Sequence, residues 1–281
     1  MQSTSIRRVL LAACLAAVAA VALGTVRLER ETKRRVDELR SAGDVPAERT
    51  YQSDVADALP TPVRRYFETV LEDGQPHVRS VRLEQEGALR LGGRTGSWKP
   101  MTATQHYTVD PPGFIWDADV TILPLLSVRV VDAYEFGRGF LRAMLVSTIP
   151  VAASEPGPEM DEGELLRYLG EAVWFPTALL PDAGVEWEPI DDRSARATIE
   201  DRGTTASLVF HFDDDALVER VIATERYRQE EDDFAPWTGY FEKYRRHDGI
   251  QVPTEAFVEW NPPDGDFPYW RANVTSIEYH Y

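Results

Sequence analysis

The sequence predicts an α+β protein: one acidic, mostly antiparallel β domain carried behind a single N-terminal membrane segment. Three observations predict it. An unbroken apolar run, Val9–Val26, follows Arg7 and Arg8. From His77 onward, side chains alternate with period two between turn signals spaced about 8–12 residues apart, the mark of an antiparallel meander. Only two stretches of the remainder, Thr61–Leu71 and Asp161–Phe175, show apolar residues at helical spacing.

In chain order, residues 1–27 form the anchor. At ~1.5 Å per residue the apolar run reaches ~27 Å, enough to cross a hydrocarbon core with little to spare. A cleaved signal peptide is the alternative, since Ala20-Val21-Ala22 fits a small-x-small cleavage site. Leu11-Ala12-Ala13-Cys14 resembles a lipoprotein box, but the long apolar run follows Cys14 instead of preceding it. Residues 28–58 read as a charged helical stalk and linker, with Gly43 and Pro46 ending the helix.

Residues 59–281 are the single α+β domain. Thr61-Pro62 opens a helix whose Val63, Tyr66, Phe67, Val70 and Leu71 make one apolar stripe, so it lies on a sheet. Strands follow around Val81–Leu83 and at Trp98–Val109, Phe114–Val120, Ser127–Phe136 and Gly139–Val146, the last two joined by a Gly137-Arg138 hairpin turn. Asp161 with Glu164 suggests a capped start for the second helix, and Pro176 stops it. Strands resume at Ala195–Glu200, Ala206–Phe212, Leu217–Arg228, Thr238–Arg246, Val252–Trp260 and Tyr269–Tyr281.

Charge and composition exclude several classes. The net charge is −17, and about −19 once Arg7 and Arg8 are set aside. Such a surface repels phosphate backbones, so no nucleic-acid partner is expected. The one cysteine, Cys14, lies in the apolar run, so the domain holds neither a disulfide nor a cysteine-ligated metal. His77, His106, His211, His247 and His280 share no ligand spacing. No serine-hydrolase, zinc-protease, phosphate-loop or dinucleotide motif is present. Gly92-Gly93-Arg94-Thr95-Gly96 reads as a hairpin turn, and Asp213–Asp215 and Glu230–Asp233 as solvated acidic loops. No catalytic residue, metal site or cofactor is assigned.

Four blocks resemble one prokaryotic family known as a domain of unknown function. They are Leu59-Pro60-x-Pro62-Val63-Arg64-Arg65-Tyr66, Asp110-Pro111-Pro112-Gly113-Phe114-x-Trp116-Asp117-Ala118, Ala172-Val173-Trp174-Phe175-Pro176-Thr177-Ala178-Leu179-Leu180-Pro181 and Phe267-Pro268-Tyr269-Trp270-Arg271. The family implies no activity. A second resemblance rests on the order of elements: an entry helix, a strand with Trp98, Pro112-x-Phe114-x-Trp116, then the hairpin from Asp132-x-Tyr134 to Gly139. That order is similar to the lipoprotein-sorting, LolA-like half-barrel. It implies a large curved antiparallel sheet with helices on its concave side, in an envelope protein that shelters lipid.

The expectation is therefore a single-pass membrane protein that binds a lipid or other apolar ligand in the hollow of a curved sheet. Phe114, Trp116, Tyr134, Phe140, Trp174 and Phe175 are the expected lining. An interaction or scaffold protein with a filled hollow, and a hydrolase with carboxylates converging in space, are the alternatives. Membrane contact is through the N-terminal helix; protein partners are unknown. The resemblance puts the domain outside the cytoplasm. Arg27, Arg30, Lys33, Arg34 and Arg35, on the downstream flank, point the other way by the positive-inside rule.

Overall fold

The computed structural model describes residues 2–43, 49–124, 126–228 and 231–281. Pro46, Glu230 and the side chain of Cys14, all named from the sequence, lie outside the described residues. Three α-helices are described: α1 (Gln2–Ser41), α2 (Thr61–Val70) and α3 (Pro158–Glu171). The thirteen described strands are β1 (Ser80–Arg90), β2 (Trp98–Thr108), β3 (Gly113–Leu123), β4 (Leu126–Glu135), β5 (Arg138–Leu145), β6 (Ile149–Ser154), β7 (Val185–Asp191), β8 (Ser194–Asp201), β9 (Thr204–Phe212), β10 (Val218–Arg228), β11 (Asp233–His247), β12 (Ile250–Trp260) and β13 (Phe267–His280).

All thirteen make one antiparallel sheet in the order β6-β5-β4-β3-β2-β1-β13-β12-β11-β10-β9-β8-β7. Two meanders, β1–β6 and β7–β13, join where β1 pairs β13, with Val81 opposite Tyr279 and Leu83 opposite Ile277. The edges β6 and β7 do not pair with each other, so the sheet stays open as a half-barrel. Because every pairing is antiparallel, the β1–β2, β3–β4, β5–β6, β8–β9, β10–β11 and β12–β13 turns fall at one end of their strands.

Period-two alternation decides which residues go inside. Phe114, Trp116, Ala118 and Val120 of β3 join the main core with α2, α3 and the chain around Trp174. Their neighbour Ile115 faces outward, into a second cluster with Val131, Ala133, Phe140, Val36 and Leu39. The last two belong to α1. The reading of 28–41 as a solvated stalk is thus corrected: this half of α1 lies along the sheet's outer face. Its buried stripe is Thr32, Val36 and Leu39. Arg35 is ion-paired to Glu135, Arg142 to Glu31 at 3.3 Å, and Arg129 to Glu29 at 3.9 Å.

Three smaller expectations also change. The edge strands β6 and β7 had no predicted counterpart; β6 is exposed at five of its six positions, so it carries no one-sided pattern to read. Helix α3 begins at Pro158 after Gly157, not at Asp161. The Asp161 carboxylate instead accepts a hydrogen bond from the backbone N–H of Gly139 at 2.7 Å, tying the helix to the β4–β5 hairpin.

Candidate functional site

Five of the six expected lining residues do meet inside the half-barrel, packed as a solid. Phe114, Tyr134 and Phe175 are fully buried, and Trp116 and Trp174 nearly so. Phe175 lies 4.6 Å from Tyr107 and 5.8 Å from Tyr168 between ring centroids. Polar edges are satisfied internally: Trp116 Nε1 donates to Gln85 Oε1 at 2.9 Å, Trp174 Nε1 to the Pro253 carbonyl at 3.1 Å, and the Tyr134 hydroxyl to Asp201 at 2.8 Å. Phe140 does not join them. It sits on the outer face, with the Arg35 guanidinium 4.6 Å above its ring. Odd and even positions of a strand face opposite sides, and Phe140 pairs Ala133, not Tyr134.

A charged network sits beneath this core. One face of α3 presents Glu164, Arg167 and Glu171, spaced three and four apart. Arg167 donates to Asp132 at 2.6 Å and to Glu171 at 2.8 Å, and its guanidinium lies 4.7 Å from the Phe114 ring centroid. Glu171 also accepts from Gln105 at 2.7 Å and from the Tyr107 hydroxyl at 3.0 Å. Arg226 donates to the Gly163 carbonyl at 3.2 Å and stands 3.8 Å from Glu164. Three carboxylates thus share two guanidiniums. The surplus negative charge falls on Glu164, whose pKa is pushed up to about 8 by burial and by the Asp132 charge. Burial also raises Asp132, against the pull of Arg167. The convergence a hydrolase needs is present, but Asp132 and Glu164 are only 7 % and 6 % exposed, so they offer a substrate no open approach.

A second, half-buried cluster lies at the end of the sheet that holds the β1–β2, β10–β11 and β12–β13 turns. Arginines and aromatic rings alternate there. Arg226 lies 5.0 Å from the Trp237 centroid and 5.7 Å from Trp260; Arg228 lies 5.9 Å from Trp260 and 5.6 Å from Phe267. Arg90 stands 5.6 Å from Phe267 and 4.8 Å from Trp98. Arg94, carried on the glycine turn that Gly92 opens at φ +86°, reaches the same Phe267 at 5.9 Å. Such cation–π contacts hold guanidiniums in place while leaving N–H donors free. Arg94 and Arg228 have acidic neighbours, Asp264 at 2.7 Å and Glu231 at 3.1 Å. Among the described residues Arg90 has none, and the Nε atoms of Arg90 and Arg228 are buried without a partner. Beside Arg94 and Arg228 opens a cavity of about 350 Å³ whose lining also includes Phe234, Ala235 and the carboxylates of Glu231, Asp233 and Asp264. Sequence reasoning missed this site. Its signal was Arg226-x-Arg228, two basic residues on one face of a strand near its end.

Fold and site together define an open antiparallel half-barrel with a filled hollow and an arginine–aromatic mouth. Residues 57–279 match the model of a family described as "Family of unknown function (DUF6920)", and the chain belongs to that family. No curated protein matches the chain. Two solved structures are similar to it. One is a LolA superfamily protein, NE2245, from Nitrosomonas europaea, at 11% identity and a TM-score of 0.40, covering 78% of this chain and 92% of that one. The other is a beta-barrel-like protein of domain of unknown function DUF1849 from Brucella abortus, at 7% identity and a TM-score of 0.29, covering 73% and 99% respectively.

Proposed function

We propose that this protein is a membrane-tethered domain that captures the anionic headgroup of a lipid at its arginine–aromatic mouth. The observation that carries the proposal is the gathering of Arg90 and Arg228 at the Phe267 ring: two guanidiniums held by Trp98, Trp260 and Phe267, of which Arg90 makes no ion pair among the described residues, in a chain of net charge −17. A guanidinium is a fork of donors matched to phosphate oxygens. The tether is α1, whose segment from Leu10 is long and apolar enough to cross a membrane. The packed hollow supports headgroup capture at the mouth over an acyl chain buried between Phe114 and Phe175.

Native mass spectrometry of the detergent-extracted full chain, titrated with phosphatidylglycerol or phosphatidylcholine, tests this. The expected result is several-fold more phosphatidylglycerol adduct, lost in the double variant Arg90→Gln, Arg228→Gln. Lipids that merely coat α1 are common to both proteins and cancel. Equal adducts for the two lipids, or an unchanged double variant, would reject the proposal. The second reading, a scaffold without ligand, is favoured by the filled hollow and predicts that rejecting outcome.

A further inference from the structure

We infer that the β3–β4 and β5–β6 turns, with edge strand β6, form an apolar foot that rests in the same bilayer that α1 crosses. The inference builds on the membrane tether and is independent of headgroup capture.

The first observation is the course of α1. Leu39 meets Gly113 at the start of β3, Glu29 meets Arg129 further along the strands, and Gly24 meets the β5–β6 turn. A Cβ at Gly24 would lie 2.5 Å from Thr148 Oγ1 and 2.8 Å from the Ser147 carbonyl oxygen, so only glycine permits this approach. The helix therefore runs down the outer face and leaves the sheet at the β5–β6 turn. Everything apolar in α1 before Val21 projects beyond that end.

The second observation is the chemistry of the turns at the exit. Thr121–Val128 and Ala143–Ser154 contain no charged residue, in a chain where 27% of residues are charged. Leu123, Ile149 and Val151 are 58 %, 53 % and 53 % exposed. Exposed apolar residues clustered at one edge mark a surface that meets something apolar. The opposite end of the sheet is the reverse: its turns carry Asp110, Asp192, Asp213, Asp214, Asp215 and Asp248. At the α1 end acids return at the β10–β11 and β12–β13 turns, at Glu231, Asp232, Asp233, Asp264 and Asp266, so the uncharged surface is confined to the β3–β6 side where α1 leaves.

The third observation is β6 itself. An edge strand in water is usually guarded by charge. Ile149-Pro150-Val151-Ala152-Ala153 has none, and its guards against pairing are Pro150 and the register shift at Val151 instead of charge. Contact with the acyl–headgroup boundary accounts for a strand of this composition at this place.

The test uses the full chain in phosphatidylcholine–phosphatidylglycerol nanodiscs, with Cys14→Ser removing the one native thiol. An environment-sensitive fluorophore is attached at Ala16→Cys, Leu123→Cys, Ile149→Cys or Asp214→Cys, and nitroxide-labelled lipid is the quencher. Quenching is expected at 16, 123 and 149, at least twofold above that at 214. Quenching at 16 with 123 and 149 equal to 214 overturns the foot and leaves the tether standing. No quenching at 16 overturns both. Circular dichroism confirms that each labelled protein is folded before it is scored.

Discussion

Glu164 is the residue whose environment most changes its chemistry. Its ordinary value of 4.5 is raised to about 8 inside the Asp132–Arg167–Arg226 network. Between those limits the native state holds a proton that the unfolded chain has released, so stability falls as pH rises. Asp132, raised by burial, acts with the same sign. His106 acts oppositely: burial and Arg40 lower it from 6.5 to about 4, so the unfolded chain binds the extra proton and stability rises with pH across that lower window. His77 and His211, also lowered by burial, follow His106. The two effects oppose each other below 6.5, and Glu164 acts without the histidines above it. The stability of the wild type against denaturation should therefore fall between pH 6.5 and 8 with a slope of roughly 1 kcal/mol per pH unit. Glu164→Gln should remove that slope; identical profiles for the two proteins would contradict the assignment. None of this was legible in the sequence. Carboxylates are so abundant here that a converging pair shows only when the sheet curls β4 and β10 around α3.

At the scale of elements, α1 carries two functions on one continuous helix. Its apolar first half suits a membrane, and its charged second half packs on the sheet. The second role was masked in the sequence because its stripe is short and includes Thr32, a polar residue buried among Val36 and Leu39. Leu39 packs against Gly113, where an added Cβ would lie 3.0 Å from the leucine methyl. Leu39→Ala should cost about 2–3 kcal/mol of local stability. Hydrogen exchange should then quicken across Leu28–Ser41, while β3 and β4 keep their protection. Unchanged exchange in α1 would mean that the helix is not held by this contact. The other helices were legible: α2 from its clear i, i+3, i+4 stripe, and α3 from Leu165, Leu166 and Leu169. The start of α3 was not legible, because Asp161 serves a hairpin amide instead of its own helix end.

For the whole molecule, the meander was legible wherever a strand has one wet and one dry face. Eleven of the thirteen described strands had a predicted counterpart, and the two that did not, β6 and β7, are the edges. Which side of the sheet each aromatic takes followed from parity, and Phe140 was misplaced because it was grouped by residue type and not by register. The mouth was hidden for a different reason. Arg90 ends β1, Arg94 lies in the β1–β2 turn and Arg228 ends β10, and only closure of β1 on β13 brings them to Phe267. The half-barrel thus has a polarity: the α1 exit, the charge-free turns and the arginine mouth gather at one end, while acidic turns are found at both. Neutron reflectometry of the full chain in a supported bilayer measures that polarity directly. Protein density beginning within the headgroup layer, with no water between lipid and domain, is the predicted profile. A hydrated gap separating the domain from the headgroups would contradict it.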